Sequence, residues 1–171
     1  MTYLTNHGPA SSFEHEYTSS EMATAMHKAV ANVIQIQRSI LGDSKRTPNS
    51  LNLCTTDGIK LLAYRFRNHA TSQPPTLYYS TRAGTTLNRK YHDHPDGVTI
   101  KGVTDVGKND DEHGRHLIVA SEPSTYKGED WELIGKNCFV VAEADGAFEL
   151  RECPYEEGWD AEDPVAGKGF D

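Results

Sequence analysis

The sequence predicts an α+β fold in which one long helix is followed by antiparallel strands. Apolar residues recur at a helical spacing between residues 18 and 42, and from residue 50 onward they alternate with polar residues. Asp-Gly pairs at 57–58 and 145–146 supply hairpin turns between strands that are close in sequence. A helix followed by hairpin-connected strands can cover one face of an antiparallel sheet, which is an α+β arrangement.

The helix has clear start and stop signals. Thr18 and Glu21 have the spacing of a capping box, in which each side chain binds a free backbone amide at the helix start. Gly42 is a typical residue for ending a helix. The apolar stripe between them, which we expect to face the core, consists of Met22, Met26, Ala29, Val30, Val33, Ile36, Ile40 and Leu41.

The strands are predicted from alternation and turn signals. Leu51 and Leu53 alternate with Asn52 and Cys54 in the first strand. The further strand candidates are residues 59–66, 76–80, 116–121, 137–142 and 147–152, with a short helical turn possible at 129–134. The long stretch 82–115 is too polar for a core, so it is a candidate functional or partner-facing excursion.

Length and charge exclude several classes. A chain of 171 residues is about one domain, and we divide it into a leader (1–17), a body (18–152) and an acidic, Gly- and Pro-containing tail (153–171) that we expect to be disordered. The leader has no periodicity and is interpreted as the remnant of a longer N-terminal half.

The tail has six acidic residues and one lysine, so it supplies most of the formal net charge of -8. This acidic balance argues against nucleic-acid binding. Without an apolar run of membrane length or a secretory signal, cytoplasmic location is the default, and no membrane association is expected.

Cysteine and histidine patterns do not by themselves indicate a catalytic or metal site. Cys54, Cys138 and Cys153 are odd in number and far apart, which fits reduced packing thiols. Two histidine pairs flank the polar excursion and could together bind zinc, namely His92 with His94 and His113 with His116. No Cys-x-x-Cys or His-Glu-x-x-His motif accompanies them, so we expect no metal, and a histidine-based metal domain is kept as an alternative.

Several blocks along the body carry a family resemblance. They are residues 51–58 (LNLCTTDG), 65–69 (RFRNH), 74–81 (PPTLYYST), 87–91 (LNRKY) and 120–123 (ASEP). In this order they resemble the C-terminal half of class II glutamine amidotransferases, and within that family especially the amidotransferase-like subunit of the fungal Dug complex, which degrades glutathione. The resemblance implies a partial N-terminal-nucleophile (αββα) sandwich, a γ-glutamyl amide as substrate, no cofactor and a peptidase-like partner subunit.

The family's catalytic groups have no counterpart at matching positions. The resemblance implies a cysteine nucleophile at residue 2, whose own α-amino group helps as base, and an Asn-Gly pair that holds the oxyanion. Here residue 2 is Thr2, and residues 6–8 read Asn-His-Gly. Thr2 could act as an N-terminal nucleophile in principle, but an ordinary start is favoured. We therefore predict no catalytic residue in this chain and interpret it as a truncated form.

Basic residues near the strand ends are the candidate substrate-binding groups. A glutamyl or glycyl carboxylate requires a guanidinium or ammonium partner. The candidates are Arg65, Arg67, Asn68 and His69, followed by Arg89 and Lys90, and by Ser121 and Glu122 at the end of an apolar strand. Their alternative role is pairing with the many acidic residues. The second function class is a non-catalytic module that binds the peptidase-like partner.

Overall fold

The computed structural model describes residues 16–84, 115–125 and 127–163, and within them the predicted α+β fold is confirmed. In these ranges a long helix, α1, precedes seven strands that pair antiparallel. The elements are α1 (Ser19–Leu41), β1 (Ser50–Thr56), β2 (Leu61–Arg67), β3 (Tyr78–Ser80), β4 (Ile118–Ala120), β5 (Glu132–Leu133), β6 (Cys138–Ala142) and β7 (Phe148–Glu152). The predicted turn at 129–134 is a 3-10 turn at Gly128–Asp130 followed by β5.

The strands form two sheets stacked in layers with the helix. The first sheet has the order β1-β2-β6-β7, and the second has the order β4-β3-β5. On β2, Leu62, Tyr64 and Phe66 pack toward α1, whereas Ala63 packs toward the second sheet. Because β2 is covered on both faces, its five central residues are all buried. The helix, first sheet and second sheet correspond to three of the four layers of an αββα sandwich.

The predicted boundaries of α1 are confirmed. The backbone amide of Glu21 donates to Thr18 Oγ1 at 3.2 Å, and the backbone amide of Thr18 donates to Glu21 Oε2 at 2.8 Å, so the capping box is formed. At the other end Gly42 has a φ of 70°, a value that suits glycine, and its amide donates to the carbonyl of Arg38 at 3.0 Å. Local sequence signals therefore set both ends of the helix.

The predicted core stripe of α1 is wrong in its C-terminal half. Met22, Ala25, Val30 and Ile34 are buried, but a set of four further apolar side chains is exposed: Val33 (44%), Ile36 (56%), Ile40 (74%) and Leu41 (46%). The buried C-terminal positions, Val30 and Ile34, pack against Phe66 and Trp159, so a neighbouring face of the helix turns inward there. We call Val33, Ile36 and Ile40 the α1 stripe.

The first part of the predicted disordered tail is packed, so that prediction is wrong for residues 153–163. Cys153, Trp159 and Ala161 are buried, and Trp159 contacts Phe66 edge-on and stacks on His27. Burying the indole of Trp159 is strongly favourable, so this residue holds the segment against the core although the segment as a whole is acidic. Tyr17, at the end of the predicted leader, also lies in the core; residues 1–15, 85–114 and 164–171 lie outside the described residues.

Of the helices in the described ranges, none has the length and apolar character needed to cross a membrane.

Candidate functional site: the polar end of the first sheet

Polar side chains concentrate at one end of the first sheet, which we call the polar end. It comprises the start of β1, the end of β2 with the loop that follows it, residues 136–137 before β6, and the segment 158–163. The opposite end carries the two Asp-Gly turns. Three of the predicted binding residues, Arg67, Asn68 and His69, lie at the polar end.

Arg67 presents its guanidinium to a carboxylate of the chain itself. Its Nη1 donates to Ser50 Oγ and its Nη2 donates to Asp163 Oδ1. Its backbone amide donates to Asn137 Oδ1 at 2.8 Å, which fixes the end of β2 against the start of β6. The Nε atom of Arg67 is buried and has no hydrogen-bond partner among the described residues. On the edge of the guanidinium that carries Nε and Nη2, only Nη2 therefore has a hydrogen-bond partner among the described residues.

The second oxygen of Asp163 is held by two further groups. Ser72 Oγ donates to Asp163 Oδ2 at 2.9 Å, and His69 Nε2 lies 3.6 Å from the same oxygen. The hydrogen bond from Ser72, together with the nearby Arg67 and His69, holds the pKa of the Asp163 carboxyl below its usual range. We call Arg67, His69 and Ser72 the carboxylate cradle.

His69 is fixed in one tautomer by the loop that carries it. Its Nδ1 accepts the backbone amides of Thr71 at 3.1 Å and Ser72 at 2.9 Å, so the network assigns the ring proton to Nε2, which faces Asp163. Lys136 Nζ binds the carbonyls of His69 and Ala70, the latter at 3.0 Å. The loop therefore directs Nε2 of His69 into the cradle, with a lysine nearby.

Arg65 and Asn68 have structural partners instead of a place in the cradle. The Arg65 guanidinium is buried and donates to the carbonyls of Pro75 (2.8 Å), Pro74 (2.9 Å) and Ile134 (2.9 Å), and burial lowers its pKa. All these partners are backbone carbonyls, so Arg65 joins the two sheets. Asn68 is fully buried; its Oδ1 accepts the amide of Asn49 at 2.5 Å and its Nδ2 donates to the carbonyl of Trp159 at 2.8 Å.

Ser121 and Glu122 are exposed directly after β4, outside the cradle. Glu122 Oε1 accepts a hydrogen bond from Thr76 Oγ1, and the carbonyl of Thr76 accepts Asn52 Nδ2 at 2.7 Å. Glu122 is thus linked to the start of β1, and the described contacts do not join it to Arg67. Arg89 and Lys90 lie outside the described residues, so their predicted role stays a prediction.

Sequence reasoning missed four residues that build this end, namely Asp163, Ser72, Lys136 and Arg46. Asp163 was assigned to a disordered tail, and the signal against that assignment was Trp159, four residues earlier. Arg46 lies between α1 and β1; it is buried and donates to the carbonyls of Trp159 and Gly158, both at 2.8 Å, and of Asp160. These carbonyls are more than 100 residues away in the chain, so no local pattern could predict the contacts.

The three thiols are poorly suited to nucleophilic attack. Cys54 is exposed on β1, Cys138 is half-buried and Cys153 is buried. Burial raises the pKa of all three, and that of Cys153 reaches about 12, so each thiol is protonated near neutral pH. Each cysteine also follows another residue of the chain, so none has a free α-amino group to act as base. The sequence-based interpretation of the cysteines as packing residues agrees with the buried Cys153 and the half-buried Cys138, whereas Cys54 is exposed.

The histidine-based metal alternative can be examined only at His116. Its Nε2 accepts the backbone amide of Gly84 at 3.1 Å, and a Cβ at residue 84 would lie 2.6 Å from that nitrogen, so only glycine permits the approach. Within residues 16–84, 115–125 and 127–163, no group of three or more His, Cys, Asp or Glu residues could hold a metal ion. His92, His94 and His113 lie outside these ranges.

The fold is similar to that of a solved structure, whereas comparisons of the sequence find no match. No protein-family model matches the chain, and no curated protein matches it. Its fold is similar to a solved structure described as a glutamine aminotransferase class-II domain protein from Silicibacter pomeroyi, with a TM-score of 0.48 and 18% sequence identity. The match covers 81% of this chain and 53% of that one, so the chain spans about half the length of the protein it resembles.

Proposed function

We propose that this protein is a class II glutamine amidotransferase-type protein related to γ-glutamyl amide hydrolysis in glutathione breakdown, and that its described part supplies scaffold and substrate-binding surface instead of the nucleophile. The observation that carries the proposal is structural. Four of the five sequence blocks that carry the family resemblance, residues 51–58, 65–69, 74–81 and 120–123, contact one another although they are separated along the chain.

The contacts between these blocks form a continuous chain across the two sheets. Arg65 in the second block binds the carbonyls of Pro74 and Pro75 in the third. Asn52 in the first block binds the carbonyl of Thr76 in the third, and Thr76 binds Glu122 in the fourth. Residues that share one structural unit are expected to be kept together in a family, which supports treating the blocks as one inherited unit.

The described cysteines support the non-catalytic part of the proposal. None of the three has a free α-amino group or a lowered pKa, both of which an N-terminal-nucleophile mechanism requires. We expect the purified chain to release no glutamate from glutathione or glutamine, either alone or mixed with the peptidase-like subunit of a glutathione-degrading complex. Glutamate release by the chain alone would contradict this, and loss of that release in a Thr2→Ala variant would then identify Thr2 as the nucleophile.

The substrate class is tested by two isomers of equal mass and charge. We propose that the chain binds γ-glutamyl compounds, as the family resemblance implies, and that it does so in the cytoplasm without a cofactor. Calorimetric titration with γ-glutamylglycine and with α-glutamylglycine should show tighter binding of the γ isomer. Equal affinity for the two isomers, or preference for the α isomer, would contradict the assignment.

A second candidate function, a non-catalytic module that binds a peptidase-like subunit, is favoured by the α1 stripe. Val33, Ile36 and Ile40 follow one another at helical spacing and are 44%, 56% and 74% exposed. Contiguous exposed apolar surface on a helix is typical of a protein–protein contact. An Ile36→Glu/Ile40→Glu variant should lose co-elution with that subunit, whereas Lys28→Glu, on an exposed position of the same helix, should retain it. Retained co-elution of the double variant would contradict this function.

A further inference from the structure

We propose that the carboxylate cradle is a binding site for the free carboxylate of a small ligand, and that the chain's own Asp163 occupies it as an internal competitor. Two donors from one loop and strand end bind a single carboxylate, Arg67 Nη2 on one oxygen and Ser72 Oγ at 2.9 Å on the other, and His69 Nε2 lies 3.6 Å from the second oxygen. Such convergence of a guanidinium and neutral donors is how proteins bind carboxylates.

Arg67 and His69 are held by contacts that do not involve Asp163. Arg67 is fixed through Ser50 Oγ and through Asn137, which accepts its backbone amide. His69 is fixed by the amides of Thr71 and Ser72. A cradle that keeps its geometry without its occupant is preorganised, so a ligand that replaces Asp163 does not have to order these side chains again.

Asp163 fills the cradle only partly. Nε and Nη2 lie on the same edge of a guanidinium and can bind the two oxygens of one carboxylate. Asp163 uses Nη2 alone, and Nε stays buried without a hydrogen-bond partner in the described part of the chain. A free carboxylate, not tethered to a backbone, can turn to engage both atoms. It can therefore make a contact that Asp163 does not make.

Replacing Asp163 requires only a local movement. The segment that carries it is anchored further back, where Arg46 and Asn68 bind the carbonyl of Trp159 and the amide of Ala161 donates to the carbonyl of Asn68 at 3.1 Å. The Asp163 side chain is 44% exposed, so solvent and small solutes reach the cradle from outside. Within the described part of the chain, the residues beyond these anchors that have to leave are Glu162 and Asp163.

The surrounding charges favour a compact anion. Lys136 is held on the adjacent carbonyls of His69 and Ala70. Glu162, whose side chain is 91% exposed, lies 3.9 Å from His69 Nε2 and adds a solvent-screened negative charge. The ligand class is a small carboxylate. Its further identification as the glutamyl or glycyl carboxylate of a γ-glutamyl compound rests on the proposed function.

The test compares Asp163→Ala with Glu162→Ala, a matched variant that removes the neighbouring exposed carboxylate. Glutarate is titrated into each protein and binding is followed through the Arg67 Nε and Ser72 amide resonances, after thermal melts have confirmed folding. A tethered competitor acts at an effective concentration in the millimolar range or above. We therefore expect Asp163→Ala to bind glutarate about tenfold or more tighter than the natural chain, Glu162→Ala to differ by less than about threefold, and the neutral diamide glutaramide not to bind.

The outcomes separate this proposal from the proposed function. Loss of glutarate binding when Arg67→Gln is added to Asp163→Ala would support the site, whereas a folded Asp163→Ala protein that binds glutarate no tighter than the natural chain would overturn it. If Asp163→Ala binds glutarate tightly but does not distinguish γ-glutamylglycine from α-glutamylglycine, the carboxylate site stands and its assignment to γ-glutamyl compounds is refuted.

Discussion

The two ends of the first sheet are closed in different ways. At the turn end, Asp57 Oδ1 accepts the amides of Ile59 and Lys60, and Asp145 Oδ1 accepts the amide of Ala147, so the partners lie within three residues of one another. At the polar end, Arg46, Arg67 and Asn68 bind groups in the segment 158–163, which is about 90 residues or more away in sequence. The turn end forms with its hairpins, whereas the polar end is complete only when a distant segment docks.

This difference has a functional consequence. A contact made by a docked segment can be exchanged for a ligand, because releasing its last residues does not break a hairpin. Within the segment, the anchoring contacts at Trp159 and the cradle contact at Asp163 are separate. Substitutions at the two ends of the sheet, and in the two parts of the segment, should therefore change the stability of the protein by different amounts.

Removing the anchor of the segment should have the largest effect. Trp159 is 4% exposed and packs on Phe66 and His27. A Trp159→Ala change should lower the free energy of unfolding by about 3–5 kcal/mol, since truncating a buried aromatic removes its burial and leaves a cavity. Urea unfolding measures this, with Phe148→Ala at the half-exposed start of β7 as the control. Equal losses in the two variants would show that the segment is not anchored through Trp159.

Removing the buried cation that holds the segment should have the next largest effect. Arg46→Met removes the donor of the Gly158 and Asp160 carbonyls and one of the two donors of the Trp159 carbonyl, and it should cost about 2–3 kcal/mol. Arg38→Met is the matched control because Arg38 is 43% exposed and pairs with Asp43. Exposed ion pairs contribute about 1 kcal/mol or less. A loss for Arg46→Met no greater than the loss for Arg38→Met would contradict the role assigned to Arg46.

At the turn end, single glycines should matter more modestly. Gly58 and Gly146 have φ values of 91° and 78°, so replacing either by alanine should cost about 1 kcal/mol through backbone strain. Gly128→Ala is the control, since a Cβ there meets nothing within 4 Å and its φ lies outside the left-handed region. Circular-dichroism melts of the three variants compare them directly, and unchanged stability of Gly58→Ala would argue against the assigned hairpin geometry.

The smallest expected effect is the pH dependence of the cradle contact. The Asp163 pKa lies below its ordinary value of 3.8 in the folded protein, so its ionised form is favoured by folding. The stabilisation is fully present above that ordinary value and is lost as the pH falls through the lowered pKa. Asp163→Asn should therefore be less stable than the natural chain at pH 6, and the difference should disappear as the pH falls through the lowered pKa of Asp163. A difference that persists unchanged in acid would show that the carboxylate charge is not involved.

Whether a feature of the fold could be predicted depends on how far apart in the sequence its interacting residues are. The ends of α1 and the two hairpins depend on residues a few positions apart, such as Thr18 with Glu21 and Asp57 with Gly58, and the sequence predicts them. The α1 stripe was predicted to face the core and is exposed, because periodicity marks an apolar face and does not show how far along the helix the sheet covers that face.

The candidate site was predictable only in part for the same reason. The sequence singled out Arg65 and Arg67 together as guanidinium groups that could bind a carboxylate, and alternation on a strand puts both on one face. Their partners decide their roles, and these are backbone carbonyls for Arg65 but the distant Asp163 for Arg67. The acidic composition of residues 153–171 predicted disorder, and the buried Cys153, Trp159 and Ala161 reverse that prediction for residues 153–163.

The central claim, that residues 158–163 dock on the polar end, is tested most directly by amide hydrogen exchange. The amide of Trp159 donates to the carbonyl of Glu156 at 3.2 Å, and that of Ala161 to the carbonyl of Asn68 at 3.1 Å. Both amides should exchange far more slowly than those of an unstructured peptide, and the protection of Ala161 should fall in Arg46→Met. Exchange of both amides at the unstructured rate in the natural chain would contradict the account.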